Sequence, residues 1–490
     1  MVILETFGRP NRQFQIMLKL LAFVAVVASS VWAAGPVTGG GHPAHNYASA
    51  LGKSILFYDA QRSGKLPHNN PIHWRGDSAL HDKGDNGEDL TGGWYDAGDN
   101  VKFNLPMASS ATILLWGMIQ WKDAYQSANQ LNQMYDMIKW PLDYFLKCWN
   151  PHTHTYYAQV GDGNADHSFW GRPEDMKMNR PAFKVTASKP GSDVAGETAA
   201  ALAAGSIAFK SHDHGYSGKL LTAAKSLYTF AKSHKGIYSQ SIHNAAQFYS
   251  SSGYKDELCE AAIWLYKATG DKGYLNEAKS YHENAWAWAL SWDDKKVACQ
   301  LLLFEATKDN AYKTEVEGYF KGWLPGGSIK YTPCGLAWRD QWGSTRYAAN
   351  SAFVALMAAD HGINALQYRK WAQSQINYIL GDNNKCFSYM IGFGNKYPLR
   401  PHHRAASCPN IPQTCSSNVL HSSSPSPHVL VGALVGGPDA RDQYTDKRDD
   451  YVHNEVACDY NSGFQSALAG LTHLVHVKSL PQADKAKCKC

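Results

Sequence analysis

Two acidic clusters stand about 350 residues apart in this chain of 490 residues. The first is Gly92-Gly93-Trp94-Tyr95-Asp96-Ala97-Gly98-Asp99-Asn100. The second runs from Tyr444 to Asn461 and holds Asp446, Asp449, Asp450, Glu455 and Asp459 among Tyr451, Asn454 and Tyr460. Carboxylates set among aromatic rings suit hydrolysis of a glycosidic bond. One delivers a proton, another activates water, and the rings stack on sugar faces. The Ala-Gly between Asp96 and Asp99 allows a tight turn, so both can aim at one point. Aspartates in such a turn can also simply cap backbone N–H groups, and Glu455 could be a solvated residue at a helix start. The aromatic and amide neighbours of Glu455 favour a raised pKa, as an acid working at neutral pH requires.

These groups need a large scaffold. The length is high for one domain, yet no Pro/Ser/Gly linker of useful length divides the chain. Ser422-Ser-Ser-Pro-Ser-Pro427 is short and reads as a surface loop. Sixteen Trp and 27 Tyr suffice for a big core with rings left over for a binding surface. The formal charge is only +5, and Lys and Arg are interspersed with Asp and Glu. No basic stripe speaks for nucleic acid or an anionic membrane as partner.

The N-terminus reads as a secretory signal. Lys19 precedes the apolar run Leu20–Val27, and Val31 and Ala33 fit the small-residue rule for cleavage after Ala33. Translation starts at Met1 or at Met17. The apolar run is too short for a membrane span, and no later segment reaches about 18 apolar residues. Residues 1–33 are therefore expected to be removed. Residues 34–490 are expected to form a single catalytic domain with a short tail from about 478. In a secreted chain the ten cysteines can pair, and Cys408 with Cys415, flanking a Pro-containing loop, is the best candidate pair.

Helical periodicity dominates. It predicts helices over 45–61, 107–122, 127–147, 194–210, 217–233, 255–268, 273–289, 297–308, 311–321, 346–361, 366–380 and 462–476. Many are Ala-rich, and several are joined by short polar turns such as Thr269-Gly-Asp-Lys-Gly273. Twelve helices paired in this way suggest an all-α fold of helical hairpins arranged around a ring. Long segments rich in Gly, Pro, His and Trp separate them at 62–106, 150–192, 323–345 and 381–461. Long loops in a compact domain are usually functional, and both acidic clusters lie in them.

At this point the residues resemble a known family, the family 9 glycoside hydrolases, in particular endo-β-1,4-glucanases of the animal and plant type. The matching stretches are Ser54–Pro67, Trp74-Arg-Gly-Asp77, Gly92–Phe103, Gly161–Gly171, Trp342–Tyr347, Pro401-His-His-Arg404 and Tyr444–Asn461, in the family's order. The resemblance spans roughly residues 43–477. It implies an (α/α)6 barrel of six helical hairpins with loops forming the cleft. It also implies that Asp99 is the general base, that Asp96 holds the same water and that Glu455 is the general acid. His402 and Arg404 would hold the sugar beside the scissile bond, and Asp446 would support the acid region. His167, Trp170, Trp292, Trp342, Arg346, Tyr347 and Tyr460 match positions that line the cleft. Two positions depart from the pattern: Ile391, where a smaller or hydroxyl residue is usual, and Ser251, where some bacterial members carry a cleft tryptophan.

Metal chemistry is a separate question. His402-His403 lacks the i, i+4 spacing of a helical metal pair, which favours sugar binding there. Ser252-Gly253-Tyr-Lys-Asp256-Glu257 puts two carboxylates and backbone carbonyls in one turn, and Asp293 could complete an oxygen cage for calcium. The resemblance points the same way. A plain helix start with acidic first-turn residues explains the same letters. No cofactor is expected for catalysis; any calcium would be structural. The sequence thus predicts a secreted, monomeric hydrolase that cuts internal β-1,4 bonds of cellulose and related glucans with inversion. The alternatives are a hydrolase of mixed-linkage glucan or glucomannan, and a glycan-binding homologue without catalysis. Retention of Asp96, Asp99 and Glu455 together argues against the last.

Overall fold

The structure, a computed structural model, describes residues 41–488, so the expected signal segment lies outside the described residues. Twelve helices carry the architecture: α1 (Tyr47–Ala60), α2 (Asn104–Gln120), α3 (Leu131–Cys148), α4 (Ser192–Phe209), α5 (His214–Ser233) and α6 (Lys255–Thr269). They continue with α7 (Lys272–Tyr281), α8 (Lys296–Thr307), α9 (Asn310–Trp323), α10 (Ser344–Asp360), α11 (Ala365–Leu380) and α12 (Cys458–His476).

The even-numbered helices α2, α4, α6, α8, α10 and α12 form the inner layer. Helix α4 shows why: Val194 through Ser206 are all buried, and all of them except Glu197, Thr198 and Ser206 are apolar or glycine. Its outer partner α5 buries a single stripe, Tyr216, Leu220, Ala224, Leu227 and Ala231, and leaves its other face to solvent. The same pairing joins α2 with α3, α6 with α7, α8 with α9 and α10 with α11. Helix α12, last in the chain, pairs with α1, the first. Small residues let the inner layer pack closely. A Cβ on Gly463 of α12 would lie 2.0 Å from Oδ1 of Asn350 on α10. Helix α6 ends where the sequence says: Gly270 takes φ +74°, and the Asp271 side chain accepts from the Gly273 amide to start α7.

Several predicted boundaries move by three residues or more, the start of α3 from 127 to Leu131 among them, and two of the shifts bear on the site. The helix expected over 273–289 stops at Tyr281. Beyond it burial alternates, with Ala287 and Ala289 buried and Trp286 and Trp288 exposed, a period of two that no helix produces. The last helix begins at Cys458, not at 462, so Asp459 and Tyr460 sit on its first turn.

A small antiparallel sheet supports the loops at one end. Its strands are β1 (Lys102–Phe103), β2 (Trp149–Asn150), β3 (Thr155–Val160) and β4 (Ala182–Val185), and β3 pairs with all three others. Lys102 faces Val160 in the register, which ties the segment just after Asp99 to the sheet. Disulfides join Cys259 of α6 to Cys299 of α8, Cys334 to Cys488, and Cys408 to Cys415 as expected. Cys386 is disulfide-bonded as well. Among the described residues no helix is long and apolar enough to cross a membrane.

Candidate active site

The turn around Asp96 and Asp99 is held by its own backbone: the Asp96 amide donates to the Val101 carbonyl at 2.9 Å. It is then docked onto both later motifs. The Gly98 carbonyl accepts from the Arg404 amide at 3.0 Å, and the Asp96 carbonyl accepts from the Cys458 amide at 2.8 Å. Only glycine fits at 98, because a Cβ there would meet the His402 carbonyl oxygen at 2.0 Å. The His402 amide in turn donates to the Asn454 carbonyl at 2.9 Å, beside Glu455. Residues from three distant stretches of the chain therefore meet through main-chain bonds, and their side chains follow.

The carboxylates differ in setting. Asp96 is buried and accepts a hydrogen bond from the Tyr249 hydroxyl. Burial, and then the charges of Asp99 and Asp459, push its carboxyl well above the usual range. Asp99 accepts from the Ala97 amide at 3.1 Å and faces His167 Nε2 at 3.2 Å. Burial acts upward on it too, but the His167 hydrogen bond and the charges of His167 and Arg404 hold it below its ordinary value. Two neighbouring carboxyls are thus driven apart, one toward the acid form and one toward the anion. Glu455 is only partly buried at the residue level, and Trp342 Nε1 donates to its Oε2 at 3.0 Å. Loss of solvation raises its carboxyl to about 7; the Trp342 bond and Arg346 oppose the rise, and Asp99 and Asp459 add to it.

The other expected residues gather around these three. Nδ1 of His402 donates to the Arg448 carbonyl at 2.7 Å, which fixes the tautomer and leaves Nε2 as an acceptor. Burial lowers its pKa to about 4, so the ring is neutral. It lies edge-on to Trp170, 5.0 Å between centroids. Trp170 is pinned by a bond from its Nε1 to Ser407 Oγ at 3.0 Å. The Arg404 guanidinium pairs with buried Asp166. Arg346 donates to Asp459 Oδ2 and to the Tyr347 hydroxyl, both at 2.6 Å, and lies over the Tyr347 and Tyr460 rings. Trp292 meets Tyr249 edge-on at 5.0 Å. His403 points away: its ring bonds Gln61 Oε1 at 2.9 Å and caps the Ala406 amide, so the adjacent histidines do not converge.

Asp446 acts through the main chain. Its oxygens accept from the Leu399 and Arg400 amides at 2.8 and 2.9 Å, and it pairs with the Arg400 side chain at 3.2 Å. Its support goes to the segment leading into His402, whose amide is bonded to the Asn454 carbonyl beside Glu455. Three residues that the sequence did not single out belong here: Tyr249, bonded to Asp96; Asp166, which anchors Arg404 and accepts from the Asn100 amide; and Trp288, edge-on to Tyr347 at 4.9 Å. Tyr249 sits in an aromatic Phe248-Tyr249 pair within a polar loop, a signal that was legible. Asp166 lies beside His167 in a matched motif. Trp288 lay hidden in a stretch read as helix.

Among the described residues, one group of three or more acidic, His or Cys ligand atoms lies within 4.8 Å of one another: Asp99, Asp166 and His167. Arg404 already supplies a positive charge there. The expected calcium residues are not gathered as tightly. The Ser252 amide donates to Asp293 Oδ1, Asp256 Oδ2 accepts from the Lys295 amide, and the Gly253 carbonyl accepts from Ser251 Oγ. Glu257, fully buried, leaves both carboxylate oxygens without a hydrogen bond. Burial and the Asp256 charge push its carboxyl well above the usual range. An unbonded buried carboxylate beside a second one fits a hard cation with oxygen ligands.

The profile of glycosyl hydrolase family 9 matches residues 47–468. The chain belongs to that family. This family 9 chain is 49% identical over 448 residues to Endoglucanase A of Bacillus pumilus, covering 88% of this chain and 67% of that one. The endoglucanase of the termite Nasutitermes takasagoensis superposes with a TM-score of 0.85 at 52% identity, covering 88% of this chain and 99% of the other. Endoglucanase CelQ of Clostridium thermocellum, solved with cellotriose, gives a TM-score of 0.78 at 41% identity, over 88% and 71% of the two chains. The (α/α)6 barrel that the resemblance implies is the fold of this glycoside hydrolase family, and the chain shares it.

Proposed function

We propose that this family 9 glycoside hydrolase is a secreted endo-β-1,4-glucanase that cuts internal bonds of cellulose and related β-glucans with inversion. The observation that carries the reading is the docking of the Asp96–Asp99 turn on Arg404 and Cys458, which gathers Asp99, Asp96, Glu455 and the aromatic walls into one place. Asp99, held as an anion, takes a proton from the attacking water, and Asp96 with Tyr249 holds that water. Glu455, with a carboxyl at about 7, protonates the leaving oxygen. Neutral His402 accepts from a sugar hydroxyl through Nε2, and Arg404, steadied by Asp166, donates to another. Trp170, Trp292, Trp342, Tyr347 and Tyr460 supply rings for the sugar faces, with His167 and Arg346 at the polar edge. The bound cello-oligosaccharide reported for CelQ supports the substrate class.

Residues 1–33 act as the signal and 34–490 as one catalytic domain; the disulfides favour an oxidising destination outside the cell. Ser252, Gly253, Asp256, Glu257 and Asp293 hold a structural calcium ion, which would neutralise the buried Glu257 and brace the start of α6. The test is purified protein on a panel of β-glucans, with product sizes followed over time. Rapid loss of viscosity and a ladder of cello-oligosaccharides are expected from β-1,4-glucan. No release from any β-1,4-glucan overturns the reading.

A further inference from the structure

Beyond Trp288 the exposed surface carries a feature that the hydrolytic site does not use. Trp286 and Trp288 are 45% and 37% exposed, on one face of the segment whose Ala287 and Ala289 point inward. Large rings turned to water cost solvation unless something covers them. Here the Arg339 side chain lies between them. Its guanidinium carbon is 4.1 Å from the Trp288 ring centre and 5.5 Å from that of Trp286. Nε of Arg339 donates to the Trp288 carbonyl at 3.0 Å, the one hydrogen bond its side chain shows among the described residues. The remaining guanidinium N–H groups are therefore open to another acceptor. Trp286 is seated from behind: a Cβ on Gly322 of α9 would meet its ring at 2.9 Å. Trp286 is thus packed against α9 on one side before anything binds.

The patch is continuous with the cleft. Trp288 packs edge-on against Tyr347, whose hydroxyl is bonded by Arg346, the partner of Asp459 beside Glu455. We propose that Trp286 and Arg339 extend the cleft through Trp288 as an outer platform for a β-1,4-glucan chain that runs on past Tyr347. The Trp286 ring stacks on a sugar's C–H face, and the free N–H groups of Arg339 donate to its hydroxyls. This rests on the glucanase reading and adds to it a dependence on chain length.

The experiment compares the whole protein with Trp286→Ala, Arg339→Gln and Trp286→Phe on cellotetraose and on a long soluble β-1,4-glucan. For Trp286→Ala and Arg339→Gln the ratio of kcat/KM on long over short substrate is expected to fall about 3- to 10-fold, carried by KM, as loss of an aromatic or cation contact implies. Trp286→Phe keeps most of the ratio. An unchanged ratio in both Trp286→Ala and Arg339→Gln, or equal losses on both substrates, overturns the platform. If Trp286→Ala does not fold, Arg339→Gln carries the comparison alone. Wild-type protein that cleaves neither substrate overturns the glucanase reading itself, an outcome distinct from an unchanged ratio.

Discussion

The indole N–H of Trp342 donates to Oε2 of Glu455 at 3.0 Å. The bond favours the carboxylate form and so works against the burial that raises this carboxyl to about 7. Trp342→Phe keeps a flat ring but loses the donor. The Glu455 carboxyl then rises further and stays protonated to higher pH. The alkaline limb of kcat/KM is expected to move upward by a fraction of a unit. An alkaline limb that stays put or moves downward in pH–rate profiles would show that this bond does not set the acid.

Asp99 and Asp96 share a turn but not an environment. Asp99→Asn keeps the shape and removes the proton acceptor, so kcat should fall by about 10²–10⁴-fold while cello-oligosaccharide binding survives. Asp96→Asn should cost less, because the Tyr249 hydroxyl can still bond the amide oxygen. Steady-state rates together with calorimetric binding decide it; near-wild-type turnover in Asp99→Asn removes it as the base.

Glu455→Gln offers two readouts. Substrates with poor leaving groups should slow far more than activated aryl glycosides, which need little protonation. Stability should move the other way. A carboxyl raised in the folded state favours folding while it is protonated, and that advantage is lost as pH rises through about 7. Glu455→Gln should therefore melt above wild type at pH 8 and level with it near pH 4. A melting temperature below wild type at both pH values would mark Glu455 as a structural residue.

Calcium can be tested without activity. If Asp256, Glu257 and Asp293 with the turn at Ser252–Gly253 bind the ion, chelation lowers Tm, and added calcium restores it, because a ligand of the native state alone stabilises that state. An unchanged Tm with no metal in elemental analysis removes the site.

Stereochemistry tests the pairing of roles. A water activated by Asp99 on the sugar face opposite Glu455 yields α-anomers first, which then relax by mutarotation. Proton NMR of fresh digests reads this directly. Early β-anomers would mean a covalent intermediate and a different part for Asp99.

Much of this was legible in the chain. The twelve helices were readable because each buries a periodic stripe or an Ala-rich face, and burial is what periodicity records. The segment 282–289 was misread because its Trp and Ala letters are ones a helix accepts, and the alternation of buried Ala with exposed Trp shows only in the fold. The start of α12 was placed late because Asn461-Ser-Gly looks like a helix opening, whereas Cys458 is held by the Asp96 carbonyl from another loop. Asp99 and Glu455 stood out by their neighbours in the sequence. The bond from Tyr249 to Asp96 did not, because it joins residues 153 positions apart through the fold. The support given by Asp446 to Leu399 and Arg400 was equally a matter of tertiary contact.

The pairing of α12 with α1 has a temporal meaning. The residues that would supply base and acid are separated by most of the chain, and the turn carrying Asp96 and Asp99 rests on Cys458 at the start of α12. A polypeptide emerging from the ribosome therefore stays without its assembled site until Cys458 and the helix it begins have been made. Proteolytic loss of the final helix would silence it in a single step, with no partly active fragment left behind.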